Sequence, residues 1–559
     1  MSSVIKRFNQ IVAAQPNKVA LSSEQEQLTY QQLNHRAALV AQSLVSQGLS
    51  GQLIVLHLPS SIELVVSILG VLKASGTYVC LDTTYPQQRK QYIADKSQSR
   101  AVITHQPLDL AIDLTLDYSL LLVEPLHTAP ALIDPPNPIM NVIFTSGSTG
   151  EPKGVKLSHT NILSFIDTHS DIVPTDCMPQ LSSIAFDAFQ FELWVMLLNG
   201  GTLCLLPEKT LLNAPALKQA IERHHITMAF VTTALVNLGV LNHFIHQPTI
   251  RRLYFGGEEL KSNAIKQDFA NYDFELVHCY GPSETSVWNV SHHCQQWQAP
   301  LPLGLPLSNS PLMLLDQHGR TITTPNQIGE IYIGGPCVSE GYLHDDLLTQ
   351  QSFRTIDGIR YFKTADMAMW NADGQLVYSH RVGNTIKHNG YRVNLNEIDR
   401  ALQSCDDHMQ SVTTQLNGEL VTFFCQTPLD ELAIRHRLNA ILPAYMCPTQ
   451  IVKVAQFPLT PHGKIDVPAL HHHLHERHCD TQSSEDSADL ILTIWRKLLG
   501  NPAIDLDDRY FECGGNSVLL LKLQRELNKQ FGLDVKVSDL FAYTTVSEQA
   551  ELIDSLIEQ

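Results

Sequence analysis

Length, composition and charge exclude several classes of protein. The chain has 559 residues, 44% of them hydrophobic and 17% charged, which is typical of folded globular proteins and too long for one hydrophobic core. Its formal net charge of −18 argues against broad binding to nucleic acid or to an anionic membrane, because the phosphate groups of both would repel it.

The cysteines and the first residues favour a cytoplasmic protein. The eleven cysteines are scattered singly without a C-x-x-C pair, so zinc ribbons and redox dithiols have no support and reduced thiols are expected. The opening "MSSVIKRFNQIVAAQPNK" has no long apolar segment and no small-residue cleavage site, so we expect no signal peptide. No run of about 18 apolar residues is present, so we expect no membrane span.

Residues 1–380 are predicted to form a large α/β domain. Apolar segments with the character of buried strands alternate with segments of helical periodicity, which favours layered parallel sheets with helices on their faces. Strands are predicted at "GQLIVLHLPSS", "TLCLLP", "MAFVTT" and "RRLYFGGEE", and a helix ended by glycine at "SIELVVSILGVLKASG".

Three further regions follow in the chain. Residues 381–470 mix strand and helix patterns and are predicted to form a small α+β subdomain. Residues 471–488, "HHHLHERHCDTQSSEDSA", are polar and predicted to be a linker; the five histidines beside Cys479 raise a metal site as an alternative, but their spacing fits no standard ligand pattern. Residues 489–559 show helical periodicity alone and are predicted to form an all-α bundle.

The segment "FTSGSTGEPKGVKLSH" at 144–159 has the chemistry of an anion-binding loop. Its hydroxyl groups can donate hydrogen bonds, and its glycines allow backbone N–H groups to approach an anion closely. It lacks the G-K-[ST] ending of the common nucleotide-binding loop. A flexible turn between two strands is the alternative that the loop alone leaves open.

The loop resembles the phosphate loop of the adenylate-forming enzymes, and most closely that of the adenylation domains of nonribosomal peptide synthetases. The resemblance covers nearly the whole chain, because nine motifs recur in the family order. They are "LTYQQLNHRA" at 28–37, "LKASGTYVCLD" at 72–82, the loop itself, "YGPSET" at 280–285, "GEIYIGG" at 329–335, "YFKTADM" at 361–367, "NGYRVNLNEID" at 389–399, "LPAYMCP" at 442–448 and "PLTPHGKID" at 458–466.

The resemblance implies a set of residues that bind ATP. Lys464 would be the catalytic cation that lets the substrate carboxylate attack the α-phosphate, and Glu284 would be the Mg²⁺ ligand. Ser283 would donate to the α-phosphate, Tyr280 would stack on adenine and Asp366 would accept from the ribose hydroxyls. The remaining residues expected at the nucleotide are Thr145, Ser146, Gly147, Ser148, Thr149, Gly150, Lys153, Gly257, Glu258, Tyr378 and Arg381.

Two positions depart from the family pattern. The family usually has "TGD", whereas this chain has "TAD" with Ala365, and the family's usual hinge aspartate is Gly383 here. Glycine permits large φ/ψ changes, so rotation between the two adenylation subdomains stays expected.

The resemblance also implies a substrate pocket for an amino acid. Asp187 would pair with the α-ammonium group, which would distinguish amino acids from acids that lack it; the alternative is an ordinary helix-cap aspartate. The side-chain pocket would be lined by Ala188, Phe191, Phe230, Tyr254, Gly256, Cys279, Val287 and Trp288. These residues bring no second charge, so we expect an apolar substrate side chain, branched aliphatic (isoleucine, valine or leucine) before a small aromatic.

The segment "DDRYFECGGNSVLLLKLQREL" at 507–527 resembles the modification site of carrier proteins. This resemblance implies that Ser517 would carry 4′-phosphopantetheine, and its place at a predicted helix start favours the phosphate; the alternative is a simple N-cap serine. The implied reaction converts an amino acid and ATP to aminoacyl-AMP and pyrophosphate. The small subdomain then rotates, and the aminoacyl group passes to the carrier as a thioester.

The implied partners are a phosphopantetheinyl transferase and condensation or tailoring enzymes acting in trans, with an MbtH-like protein as an open question. Two alternatives remain at this stage. One is an acyl-CoA or aryl-acid ligase of the same superfamily, against which Asp187 and the fused carrier argue. The other is an inactive relative that keeps the fold as a binding or scaffold protein.

Overall fold

The structure is a computed structural model that divides into two compact units. The first comprises Met1–Tyr85, Lys90–Ser146 and Pro152–Gly383, and the second comprises Pro86–Arg89, Gly147–Glu151 and Asn384–Gln559. The structure describes residues 3–557 apart from 107, 123–136, 147–150, 208–209, 212, 261–264, 267–268, 407, 417, 459–464, 472–486, 502–503, 511–512, 514, 516 and 534, and apart from the side chains of 432, 436, 517, 518, 538, 541 and 542.

The first unit contains a six-stranded sheet with the order β6-β5-β3-β4-β7-β8, parallel except for the antiparallel pair β7–β8. Its strands are β3 (Leu53–His57), β4 (Thr77–Cys80), β5 (Ala101–Thr104), β6 (Leu114–Asp117), β7 (Ile139–Thr145) and β8 (Lys153–Ser158). The central strands are buried on both faces, which is why β3 reads as an uninterrupted apolar segment in the sequence.

Two further sheets contain parallel strand pairs. The order β2-β1-β10-β9 joins β1 (Val19–Ser22), β2 (Gln27–Thr29), β9 (Cys177–Gln180) and β10 (Thr202–Leu205). The order β11-β12-β13-β14-β15 joins β11 (Met228–Thr232), β12 (Arg252–Gly256), β13 (Glu275–Tyr280), β14 (Val290–His293) and β15 (Leu305–Pro306). In the latter, β11, β12 and β13 are parallel, so their carboxyl ends lie at one edge.

An antiparallel sheet completes the first unit. It has the order β16-β17-β19-β18, with β20 also paired to β19. The strands are β16 (Leu312–Leu315), β17 (Gly329–Gly334), β18 (Phe353–Ile356), β19 (Ile359–Trp370) and β20 (Leu376–Arg381).

Helices cover the sheets, and most begin at a residue that caps the first turn. The side chain of Ser61 accepts from the backbone N–H of Leu64, and Thr29 forms a capping box with Gln32. The α-helices are α1 (Val4–Ala14), α2 (Tyr30–Ser46), α3 (Ile62–Lys73), α4 (Gln87–Ser97), α5 (Tyr118–Leu121), α6 (His159–Asp167), α7 (Asp187–Asn199), α8 (Ala214–His224), α9 (Thr233–Asn237) and α10 (Asp346–Ser352). Short 3₁₀ turns cover Val240–Phe244, Phe269–Asn271 and Ser283–Thr285.

The second unit begins with a mixed region of strands and helices. It contains the hairpin β21 (Thr385–His388) and β22 (Tyr391–Asn394), and a sheet of β23 (Gln410–Leu416), β24 (Glu419–Cys425) and β25 (Gln450–Lys453). Its helices are α11 (Leu395–Gln403) and α12 (Glu431–Ile441), with a 3₁₀ turn at Ala444–Met446.

The described residues after 486 form helices and no strand. The helices are α13 (Ser487–Leu499), α14 (Ser517–Phe531), α15 (Val537–Ala542) and α16 (Val546–Ile557). Their shared core includes Trp495, which donates to Gln549 and packs edge-on against Tyr510 at 4.8 Å between ring centroids.

The predicted fold class is confirmed: layered sheets with parallel strands and helices, then an α+β region, then helices alone. The boundary between the two units lies between Gly383 and Asn384. The predicted domain limits at 380, 470 and 488 stay predictions. In the described part of the chain, no helix combines the length and the apolar character needed to cross a membrane.

Candidate functional site

The predicted phosphate loop joins two antiparallel strands. Thr145 ends β7 and Lys153 begins β8, and the two residues lie opposite each other in the sheet. The buried Thr145 hydroxyl oxygen has no hydrogen-bond partner among the described residues. Gly147 to Gly150, four of the predicted phosphate ligands, lie outside the described residues.

Lys153 and Glu284 form a buried ion pair with Tyr342. The Lys153 Nζ lies 2.6 Å from Glu284 Oε1 and 2.6 Å from the Tyr342 hydroxyl, which in turn donates to the same carboxylate oxygen at 2.9 Å. The Lys153 side chain is 8% exposed and that of Glu284 is fully buried. Two of the predicted ATP-site residues are thus brought together, and Tyr342 is a third member that no motif in the sequence indicated.

Asp366 is held between Tyr280 and Arg381. The Tyr280 hydroxyl donates to Asp366 Oδ2 at 2.7 Å, and Arg381 Nη1 donates to Oδ1 at 2.7 Å. The strand register explains the second contact, because Asp366 on β19 lies opposite Arg381 on β20. Burial, and then the nearby Asp366 carboxylate, raise the pKa of Tyr280 well above its usual range and that of Tyr378 to about 12. Both phenols are therefore neutral at neutral pH.

Ala365 adopts a left-handed backbone conformation just before Asp366. Its φ is +63°, a region that favours glycine. Its N–H donates to Glu330 Oε1 at 3.0 Å and its carbonyl accepts from the N–H of Val382 at 2.9 Å, so neighbouring strands fix this conformation. Gly383, the second departure from the family pattern, has φ +94° and is the last residue of the first unit.

Asp187 is the first residue of α7, and the Ser283 hydroxyl donates to its carboxylate. The N-cap position belongs to Phe186, which makes no side-chain cap bond. Asp187 is therefore not the N-cap residue of α7, and its carboxylate accepts a hydrogen bond from Ser283. The two residues, predicted to bind the amino acid and the phosphate, lie side by side.

The turn before α7 is fixed by Glu192, a residue that no family motif indicated. This buried carboxyl group accepts from the N–H groups of Leu181 and Ser182 at 3.2 and 3.1 Å, and from the Ser182 hydroxyl at 2.8 Å. Burial raises the pKa of Glu192 to about 8. The signal in the sequence is an acid in an otherwise apolar helix, "FQFELWVMLL", where an ionisable group needs a partner.

Four of the eight predicted side-chain pocket residues form one aromatic cluster. Phe191 lies 4.4 Å from Trp288 and 5.0 Å from Tyr254 between ring centroids, and Phe230 stacks on Trp288 at 5.9 Å. Cys279 and Val287 are buried as well, whereas Ala188 is half-buried.

Phe165 and His169 belong to the same cluster and were not predicted. Their rings lie 5.1 and 5.5 Å from that of Trp288. Burial lowers the pKa of His169 to about 4, so the ring is neutral at neutral pH. Both come from α6 and the turn after it, a segment that carries none of the nine family motifs beyond its first residue.

Gly256 allows the close approach of β12 and β13 beside this cluster. A Cβ atom at Gly256 would overlap the carbonyl oxygen of Cys279, its partner in the sheet. Gly257 follows with φ +108°, so the chain turns sharply at the carboxyl end of β12 and continues into the half-buried Glu258. Parallel strands commonly place ligand-binding residues at this edge.

The C-terminal candidate is the start of α14, whose first residue is Ser517. Gly515 precedes it, and a Cβ there would overlap the buried ring of Tyr510. The absence of a side chain at Gly515 therefore leaves room for the Tyr510 ring. Lys464 lies outside the described residues, as does the side chain of Ser517.

Comparison with protein-family models decides the family. The model described as AMP-binding enzyme matches residues 8–343. The chain belongs to this family. The model described as phosphopantetheine attachment site matches residues 489–553, so this AMP-binding enzyme also carries a carrier region. The predicted pairing of an adenylation region with a carrier region is confirmed.

Curated relatives of this AMP-binding enzyme are much longer synthases. It is 29% identical to bacitracin synthase 1 of Bacillus licheniformis over 98% of the chain, and 30% identical to tyrocidine synthase 3 of Brevibacillus parabrevis over 99%. It is 28% identical to bacitracin synthase 2 of Bacillus licheniformis over 98% of the chain. The chain spans only 11%, 9% and 22% of the lengths of these relatives.

Solved structures share the fold. The chain aligns over 99% of its length with holo-PA1221, an NRPS protein containing adenylation and PCP domains bound to a vinylsulfonamide inhibitor, at a TM-score of 0.82 and 24% identity, covering 97% of that chain. It aligns over 99% with NpsA-ThdA, an artificially fused adenylation-PCP didomain NRPS from Klebsiella oxytoca, at a TM-score of 0.71 and 21% identity, covering 99% of that chain.

Proposed function

We propose that the chain activates an apolar amino acid with ATP and loads it onto its own carrier region for nonribosomal peptide or related biosynthesis. The observation that carries the proposal is the contact between Asp187 and Ser283 beside a neutral aromatic cluster. In this proposal Asp187 would bind the ammonium group of the amino acid and Ser283 would bind the α-phosphate of ATP, and their contact supports both roles because the two substrates must meet for the reaction to occur.

The nucleotide would lie between two polar clusters of the first unit. One is Lys153 with Glu284 and Tyr342, and the other is Asp366 with Tyr280 and Arg381. Asp366, held by Tyr280 and Arg381, would accept hydrogen bonds from the ribose through its remaining lone pairs. The Thr145 hydroxyl, Ser146, Lys153 and the loop residues 147–150 would hold the β- and γ-phosphates, and Gly257, Glu258 and Tyr378 would border the nucleotide. Lys153 would then exchange part of its contact with Glu284 for phosphate.

The residues present fit Mg²⁺ at Glu284. Mg²⁺ takes one or two carboxylates and completes its shell with water and substrate phosphates, and Glu284 is a buried carboxylate beside the phosphate loop's own lysine. Among the described residues no group of three metal-binding side chains occurs. When bound, the ion would neutralise charge on the phosphates.

Lys464 would supply the cation that meets the substrate carboxylate, and Ser517 the attachment point of the carrier arm. A 4′-phosphopantetheine arm would provide the thiol that accepts the aminoacyl group. The start of α14 fits the arm's phosphate, because helix N-termini favour anions. A phosphopantetheinyl transferase must install this arm, and condensation or tailoring enzymes would accept the product; an MbtH-like protein is a further candidate partner.

The aromatic cluster supports a modest apolar substrate side chain. Phe191, Phe230, Tyr254 and Trp288 pack ring to ring, and the nearby His169 is neutral. A charged substrate side chain would lose its hydration among these neutral rings, at a cost of several kcal/mol. Branched aliphatic side chains (isoleucine, valine, leucine) are therefore proposed first and small aromatic ones second.

Amino-acid-dependent exchange of pyrophosphate into ATP tests the proposal. We expect isoleucine, valine or leucine to give the fastest exchange, and the matching α-hydroxy acids to give little. Asp187→Asn should lower kcat/KM for the amino acid roughly 30- to 150-fold, because a charge-assisted contact is lost. This corresponds to about 2–3 kcal/mol of lost transition-state stabilisation. Asp373→Asn, at an exposed turn, is the matched control and should change nothing.

Two results would redirect the proposal. Exchange driven by a fatty or aryl acid, insensitive to Asp187→Asn, would favour an acyl-CoA or aryl-acid ligase. No exchange with any acid would favour an inactive relative that keeps the fold for binding.

A further inference from the structure

Within the second unit, the C-terminal helices contact the α+β region at a small polar face. We call this the docking face and define it as Glu419, Arg435, Pro448 and Thr449. The helices meet it with the end of α13 and the first half of α14, at Leu499, Gly500 and Lys522. The two sides are separated by the segment predicted to be a linker.

Arg435 binds carbonyl groups from both sides. Its Nη1 donates to the carbonyl of Pro448 at 2.9 Å and to that of Leu499 at 3.4 Å, and its Nη2 donates to that of Thr449 at 3.2 Å. Leu499 is the last residue of α13, where the helix has unpaired carbonyls and the negative end of its dipole. A buried guanidinium is therefore matched to a helix C-terminus.

Gly500 makes this approach sterically specific. It has φ +58°, and a Cβ atom there would overlap the carbonyl oxygen of Thr449 and come within 2.6 Å of Arg435 Nη2. Any residue with a side chain would have to move the helix end away from the docking face. Gly532, which follows α14, has the same left-handed conformation at φ +70° but nothing within 4 Å of such an atom.

A second contact lies next to the first. Lys522 Nζ on α14 lies 2.5 Å from Oε1 of Glu419, and Glu419 is the first residue of β24. Thr449 donates to the carbonyl of Leu420 through both its N–H and its hydroxyl, at 3.0 Å each. The two contacts are thus tied together at one end of the β24–β25 pair.

We propose that the docking face is a built recognition site for the carrier region, selective for a helix that is followed directly by glycine and then by a helix carrying a lysine. Recognition of the carrier region at the docking face is separate from amino acid activation, because this contact requires neither ATP nor an amino acid. Since Lys522 and Ser517 belong to the same helix, docking fixes the direction of the helix that begins at the modification site.

Zero-length crosslinking of the full chain tests the proposal. A carbodiimide joins a carboxylate to an amine only when they touch, so the monomeric protein should yield a Glu419–Lys522 amide. Lys529, exposed on the same helix, is the internal control and should link to Glu419 far less. Gly500→Ala should lower the Glu419–Lys522 yield at least about tenfold, whereas Gly532→Ala, with the same backbone strain, should leave it unchanged.

If Gly500→Ala loses its helical circular dichroism signal, it has unfolded and no longer tests the contact. A second variant with exchanged charges then provides the test. The double variant Glu419→Lys with Lys522→Glu restores a complementary pair and should give the link in reverse. Equal yields in Gly500→Ala and Gly532→Ala, no link in the unaltered chain, or no link in the folded double variant would each overturn the proposal. None of these outcomes depends on enzymatic activity.

Discussion

Replacing Ala365 by glycine should stabilise the first unit, although glycine in a strand normally weakens it. Ala365 is part of β19 and has φ +63°, where an L-residue with a Cβ costs about 1–2 kcal/mol. Glycine removes this cost, but its greater conformational entropy stabilises the unfolded chain by about 0.4–1 kcal/mol. From the midpoints of the two ranges, the free energy of unfolding should rise by about 0.8 kcal/mol.

Tryptophan fluorescence during urea unfolding measures the gain. Four of the five tryptophans, Trp194, Trp288, Trp297 and Trp370, lie in the first unit, so the signal reports chiefly on its unfolding. With a slope of about 3 kcal/mol per molar urea, the midpoint should rise by about 0.3 M.

Ala368→Gly is the matched control, because it makes the same chemical change three residues along the same strand. Ala368 is buried and, unlike Ala365, does not have a positive φ, so its replacement by glycine should lose about 0.8 kcal/mol of methyl burial and about 0.5–1 kcal/mol of backbone entropy. Opposite signs for the two variants are the expected result. A loss of stability in Ala365→Gly equal to that in Ala368→Gly would refute the argument from backbone strain.

Three further predictions follow from the site. Because burial raises the pKa of Glu192 to about 8, its contribution to the free energy of unfolding is complete below about pH 4 and is lost as the pH rises toward 8. Glu192→Gln should therefore weaken the pH dependence of the free energy of unfolding, measured by urea unfolding at several pH values. Tyr280→Phe removes one donor to the buried Asp366 and should cost about 1.5–3 kcal/mol of unfolding free energy, with a shift in midpoint as the measure. Lys464→Ala should abolish pyrophosphate exchange but spare thioester formation from a preformed aminoacyl adenylate; equal loss of both steps would contradict its proposed role.

The sequence predicted the architecture because the signals for it are local. Apolar strands such as β3 and capped apolar helices such as α3 carry their own periodicity and end signals. The helical C-terminal region was predicted for the same reason. Motif order then predicted which loops belong to one site.

The pairings inside the site could not be predicted from local patterns. Lys153, Glu284 and Tyr342 are separated by 131 and 58 residues along the chain, and only the fold makes them one buried cluster. His169 enters the aromatic cluster because α6 packs beside α7, which no single helix pattern encodes. The left-handed conformation of Ala365 was hidden too, because alanine, unlike glycine, gives no signal for positive φ.

Intact-mass measurement of the carrier-loaded full chain tests the central claim most directly. After treatment with a phosphopantetheinyl transferase and coenzyme A, the chain should gain one phosphopantetheine mass. It should then gain one branched aliphatic aminoacyl mass only when ATP and that amino acid are present. Ser517→Ala should show neither gain while keeping amino-acid-dependent pyrophosphate exchange. An aminoacyl gain on Ser517→Ala, or exchange in the unaltered holo chain without any aminoacyl gain, would contradict loading in cis.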